Sequence, residues 1–150
     1  LEISERTTRI FPGRYASLAS IGEFVRSEAL LCGLDKTATY QVEMAVDEAC
    51  SNIIEHAYGA EDIGQIDCTC QRLVDGLTIT IKDTGKPFHP DEVDWPNLQA
   101  GIEDREAHGL GLFFMREWMD KVEFKFSPEG GNTLTLFKNR MGKKPSKKKP

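Results

Sequence analysis

Glu48 and Asn52, four residues apart, carry the first chemistry that the chain offers. A carboxylate can take a proton from a hydroxyl, or aim a water at a phosphoryl group. An amide oxygen can be the one protein ligand of a Mg²⁺ ion otherwise held by water and phosphate oxygens. Further on, Asp83-Thr84-Gly85 sets a carboxylate two residues before a glycine. That carboxylate can accept a hydrogen bond from an exocyclic amine, which adenine offers, and the glycine leaves room for a flat ring against the backbone. His108-Gly109-Leu110-Gly111 holds a G-x-G. At a helix start, backbone N–H groups and the helix dipole favour an anion, and glycines let those amides approach a phosphate. Each fragment alone also reads as something plainer: a solvated helix flank, an ordinary D-x-G turn, a helix entry without a ligand. The spacing matches neither G-x-G-x-x-G nor G-x-x-x-x-G-K-[ST].

The elements that would position these groups are legible. Residues 42–59 read as one amphipathic helix, with Val42, Ala45, Val46, Ala49, Ile53 and Ala57 on an apolar stripe. Glu48 and Asn52 fall at the rim of that stripe, one turn apart. Asp35 is the expected N-cap and Gly59 the terminator. An earlier helix is expected over 15–31, with Leu18, Ile21, Phe24, Val25 and Ala29 recurring at helical spacing, Ala16, Ala19 and Leu30 widening the face, and Gly33 ending it. Residues 2–11 suit an edge strand stopped by Pro12-Gly13. Two alternating runs, 65–74 and 77–82, flank Asp75-Gly76, a strong hairpin signal. The second run ends at Asp83. Residues 86–107, with Pro87, Pro90, Pro96 and Gly101, have no sustained period and read as a lid or binding segment. The G-x-G then opens a helix through Met119, and strands over 122–127 and 133–137 finish an α/β domain of residues 1–137.

Composition narrows the partners. Of 19 basic residues, seven follow Phe137, so the body sets 12 against all 24 acidic residues. Such a body is a poor nucleic-acid binder and a good match for a basic protein, while residues 138–150 read as a basic, disordered tail. No apolar run approaches the roughly 20 residues of a membrane span and no signal-type leader opens the chain, so a cytoplasmic protein without membrane association is expected. Cys32, Cys50, Cys68 and Cys70 lack metal-ligand spacing and read as reduced core thiols.

Taken in order, the motifs resemble the GHKL superfamily of ATP-binding domains, with its N, G1 and G2 boxes, and most closely its bacterial anti-sigma factor serine/threonine kinases. The residues that carry the resemblance are 46–58 (VDEACSNIIEHAY), 83–88 (DTGKPF) and 108–115 (HGLGLFFM), supported by Trp118-Met119-Asp120 and Gly131-Asn132-Thr133. The resemblance implies a Bergerat-type two-layer sandwich, a mixed, mostly antiparallel sheet with helices on one face. It implies Glu48 as catalytic base, Asn52 as Mg²⁺ ligand, Asp83 as adenine reader and Gly85 as base platform. His108, Gly109, Leu110 and Gly111 would clamp phosphate, with Thr133 also at the nucleotide. ATP and Mg²⁺ are the implied cofactors. The implied partners are a sigma factor that is sequestered and a small antagonist protein that is phosphorylated, with a homodimer possible. The alternative is an ATP-binding partner-switching module without phosphotransfer. A sensor histidine kinase fits less well, because His56, His89 and His108 lie within or after the N box.

Overall fold

The computed structural model describes residues 5–87 and 107–141, with side chains in the second stretch from Gly111 onward. Most of the expected lid and of the basic tail lie outside the described residues, but Lys138 and Asn139, expected in the tail, instead end the last strand, paired with Leu77 and Gly76, and Lys138 is buried. The chain runs β1 (Glu5–Pro12), a 3₁₀ turn (Tyr15–Ser17), α1 (Leu18–Cys32), α2 (Lys36–Asn52), a π-helical segment (Ile53–Tyr58), β2 (Gln65–Arg72), β3 (Gly76–Asp83), α3 (Ala107–Trp118), β4 (Lys121–Ser127) and β5 (Gly131–Asn139). The described strands form one sheet in the order β1-β2-β3-β5-β4, and all four pairings among them are antiparallel, so this sheet is wholly antiparallel where a mixed one was expected. The result is the expected α/β two-layer sandwich.

Alternation along the strands decides which face meets the helices. Ile66, Cys68 and Cys70 of β2, Leu77, Ile79 and Ile81 of β3, and Leu134 and Leu136 of β5 are buried under the helical layer. From α1 come Ile21, Phe24, Val25 and Ala29; from α2, Val42, Ala45, Val46 and Ala49; from α3, Leu112 and Met115. Each large side chain so buried stabilises the fold by about 1.5–3 kcal/mol. Ala16, Ala19 and Leu30 do not join this layer: all three are exposed, Leu30 by 57%. The buried face of α1 is thus narrower than its run of apolar residues suggests. The four cysteines are unbridged and buried. Cys68 and Cys70 share the inner face of β2, and a hydrogen bond between the two thiols, with burial, drives the Cys70 thiol far above its ordinary range.

Caps act where the sequence sets them. The Asp35 side chain accepts from the Ala38 N–H at 2.8 Å at the start of α2, while Gly33 (φ +91°) and Gly59 (φ +83°) end α1 and the π segment in the left-handed region. Two local geometries differ from expectation. The β2–β3 hairpin is closed by a reciprocal pair of backbone bonds between Leu73 and Gly76, so its loop is Val74-Asp75 rather than Asp75-Gly76. Gly76 begins β3, and a Cβ there would stand 2.2 Å from the Lys138 carbonyl oxygen, so glycine is needed for close strand approach, not for a left-handed turn. The helix expected to run unbroken from 42 to 59 is α-helical only to Asn52 and then widens into the π segment. Ile53, Ile54 and Ala57 are still buried after the change. Single π turns inside helices recur at functional sites.

Candidate active site

The π segment starts directly after Asn52, and it fixes what lies beneath the end of β3. Its Ala57 carbonyl accepts from the Lys86 N–H at 2.8 Å. The next side chain, Tyr58, bridges two elements: its hydroxyl accepts from the Thr84 N–H at 3.1 Å and donates to the Gln65 carbonyl. The Asp83-Thr84-Gly85-Lys86 turn is therefore docked onto the end of the helix that carries Glu48 and Asn52. A Cβ on Gly85 would stand 2.5 Å from the Ala57 carbonyl oxygen. That side of Gly85 is filled by the π segment, so the glycine is required here for helix–turn contact.

Asp83 ends β3 and is 6% exposed. Its Oδ1 accepts from the Gly85 N–H and from Asn132 Nδ2, each at 2.8 Å. Burial pushes the carboxyl above the usual carboxylate range, and these two donors work against that push. Asn132 stands directly opposite Asp83 in the β3–β5 register. The same Nδ2 also lies 3.1 Å from the carbonyl oxygens of Gly85 and Lys86.

Between α2, the π segment, α3 and the strands is a narrow cleft. Asn52, Asp83 and Thr133 all line it, together with Asn132. Apolar walls come from Ala49, Ile53, Ile81, Met115, Phe124 and Phe126. An apolar cleft with a few convergent polar groups is the usual form of a small-molecule site. Asn52 is 4% exposed, and its Oδ1 is buried with no hydrogen-bond partner among the described residues. A buried amide oxygen left in that state costs about 1–3 kcal/mol. It is also the hard oxygen donor that Mg²⁺ takes, so the site fits that ion.

Glu48 lies one turn before Asn52 and is half-buried. Its carboxyl group packs against Gly111 of α3, where a Cβ would fall 2.1 Å from the carboxyl carbon. The G-x-G thus opens a helix as expected, and Gly111 makes room for Glu48. His108, Gly109 and Leu110 lie in the first turn of α3, and their side chains are outside the described residues. The structure therefore brings Asn52, Asp83 and Thr133 to one cleft, sets Glu48 against Gly111 one turn away, and turns Gly85 toward the π segment. Sequence reading gave Ala57 only a core position and gave Tyr58 and Asn132 no site role, yet all three hold the 83–86 turn. Tyr58 and Asn132 stand inside the motif segments, but only the strand register and the π turn reveal their partners.

A helix-borne carboxylate and amide beside a braced strand-end carboxylate, on a helix-covered antiparallel sheet, define a nucleotide-binding type of domain. The family of histidine kinase-like ATPase domains matches residues 11–138, and the chain belongs to it. Relatives include the serine-protein kinase RsbW of Bacillus licheniformis, 30% identical over 108 residues that make up 66% of this chain and 64% of that protein. RsbW of Halalkalibacterium halodurans is 35% identical over 101 residues, 65% of this chain and 60% of that protein. The serine/threonine-protein kinase BtrW of Bordetella bronchiseptica is 28% identical over 97 residues, 65% and 68% respectively. The chain thus spans a little under two thirds of the length of the RsbW relatives named here. Among solved structures, the RsbU and RsbW domains of Rv1364c from Mycobacterium tuberculosis superpose with a TM-score of 0.61 at 14% identity, over 95% of this chain and 35% of that one. That likeness concerns the fold. No described helix is long and apolar enough to cross a membrane.

Proposed function

We propose that this chain is an ATP-dependent serine/threonine protein kinase of the anti-sigma type, which phosphorylates a small antagonist protein and sequesters a sigma factor in the cytoplasm. The observation that carries the reading is the buried Asn52 Oδ1, without a hydrogen-bond partner among the described residues, whose side chain lines the same cleft as Asp83, one helical turn from Glu48. The names of the RsbW and BtrW relatives support the reaction class.

In this reading Asp83 accepts from the exocyclic amine of adenine, and the apolar cleft walls take the ring. Asn52 Oδ1 would hold Mg²⁺, which supplies positive charge to the phosphate oxygens when bound. Gly109 and Gly111, with the neighbouring His108 and Leu110, would set α3 against the phosphates, and Thr133 would line the base pocket. Glu48 accepts the proton of the substrate hydroxyl as its oxygen bonds to the γ-phosphorus. The bond from that phosphorus to the β–γ bridging oxygen breaks, and ADP leaves with its electron pair. Positioned bases of this kind contribute about 10²–10⁴-fold.

The test is Glu48→Gln, assayed separately for ATP affinity and for transfer of γ-phosphate to the antagonist. Affinity should hold within about threefold while transfer falls about 10²-fold or more. Equal transfer rates would remove Glu48 from the chemistry. Wild-type protein that binds ATP and an antagonist yet never labels it would instead support a partner-switching module without phosphotransfer.

A further inference from the structure

The turn bearing Asp83 depends on a side chain to which no motif assigns a task. Asn132 is 6% exposed and presents one amide nitrogen to three oxygens: Asp83 Oδ1 at 2.8 Å and the carbonyls of Gly85 and Lys86, each at 3.1 Å. All three are acceptors, so the NH₂ end must face them; a flipped amide would set oxygen against oxygen three times over. The approach is tight. Gly131, at φ +84°, has the position of its missing Cβ 2.4 Å from the Asp83 carbonyl oxygen. That glycine lets β5 deliver Asn132 directly opposite Asp83.

Both hydrogen bonds to the Asp83 side chain end on Oδ1, which leaves the direction of Oδ2 set by them. We infer that Asn132 is a positioning residue for base recognition: it keeps Asp83 an oriented acceptor, and so sets a preference for 6-amino over 6-oxo purine nucleotides. The inference rests on the nucleotide reading above. A buried carboxyl has two possible behaviours toward a purine edge. Ionised, it accepts from a 6-amino group. Protonated, it can donate to a 6-oxo group and reads the opposite base. Burial favours the second form, and the donors on Oδ1 favour the first. The Gly85 N–H is fixed by the chain, so Asn132 is the side chain through which the balance is set.

The experiment is equilibrium binding of ATP and of ITP, from mildly acidic to mildly alkaline pH, by the wild-type protein, Asn132→Leu and Asn132→Asp. Wild type should prefer ATP, with affinity declining as pH falls. Asn132→Leu removes a charge-assisted donor, so the ATP-to-ITP affinity ratio should drop about tenfold and the pH midpoint for ATP should rise. Asn132→Asp is isosteric and guards against a Leu variant that fails to fold. Its new carboxyl repels Asp83 when ionised and donates to it when protonated, so ATP affinity should improve on acidification, opposite to wild type. An unchanged ratio and midpoint in folded Asn132→Leu, or a wild-type pH profile in Asn132→Asp, overturns this inference alone. Wild-type protein that binds neither nucleotide overturns the nucleotide reading and this inference with it.

Discussion

Gly111 of α3 and Glu48 of α2 share one space: a Cβ on the glycine would stand 2.1 Å from the glutamate's carboxyl carbon and 2.2 Å from Oε1. The atoms it would strike are the far end of a side chain that can swing aside. Gly111→Ala should therefore leave the fold nearly intact and move the carboxylate. Misplacing a catalytic group by about 1 Å costs up to about 10²-fold in rate. We expect phosphotransfer to fall by about that factor with the melting temperature within a few degrees of wild type. A transfer rate within a few-fold of wild type would separate Gly111 from Glu48 function.

Gly85→Ala makes the same chemical change with a different result. Its new methyl meets the Ala57 carbonyl oxygen at 2.5 Å and the Ala57 carbonyl carbon at 2.6 Å, which are backbone atoms of the π segment. Overpacking against backbone costs about 1–3 kcal/mol. The expected outcome is a lower chemical-denaturation midpoint together with weakened ATP binding, since the displaced turn carries Asp83. A variant as stable as wild type would contradict the docking of the turn on the π segment.

Asn52→Leu should separate stability from function. The substitution removes a buried oxygen that has no hydrogen-bond partner among the described residues. Relief of that desolvation is worth about 1 kcal/mol, so the nucleotide-free protein should be at least as stable as wild type in denaturant titrations. ATP affinity should lose its dependence on Mg²⁺. Destabilisation by more than about 1 kcal/mol, or an unaltered Mg²⁺ response, would count against the ligand role.

If Asp83 is the adenine acceptor proposed above, it sets the pH dependence of ATP binding. Burial is the largest cause of its raised pKa, so the folded state holds the proton to a higher pH than the unfolded chain does. Between the unfolded and folded values the native state binds more protons. Ionised Asp83 thus disfavours the fold above its folded pKa, and the penalty is relieved as pH falls through it. Binding runs the other way, because the carboxylate form is the acceptor. ATP affinity should weaken with falling pH at a midpoint above the ordinary carboxylate range, and Asp83→Asn should abolish that inflection. Calorimetric titrations across pH check both; a midpoint at the ordinary value would mean that Asp83 is solvated when ATP binds.

Much of this protein was determined by local sequence. Binary patterning put Val42, Ala45, Val46, Ala49, Ile53 and Ala57 into the core, and Leu77, Ile79 and Ile81 onto the inner face of β3, because periods of 3.6 and 2 translate directly into faces. Asp35, Gly33 and Gly59 marked helix ends because capping is a matter of neighbouring residues. The order of the polar motifs pointed to a family and thereby to Asn52, Asp83 and Thr133, which the fold gathers at one cleft.

Only the tertiary structure decided why Gly85 and Gly111 are glycines, since Ala57 and Glu48 reach them from a different element. Only the strand order decided that Asn132 faces Asp83 across 49 positions of sequence. The π segment after Asn52 was likewise invisible, because an α and a π turn differ by one residue in backbone hydrogen-bond spacing, i to i+4 against i to i+5, and the apolar pattern continues through both. Here the Ala57 carbonyl binds Lys86 and Tyr58 binds Thr84. Pattern fixes which residues are buried; register and close packing fix what each buried polar atom meets.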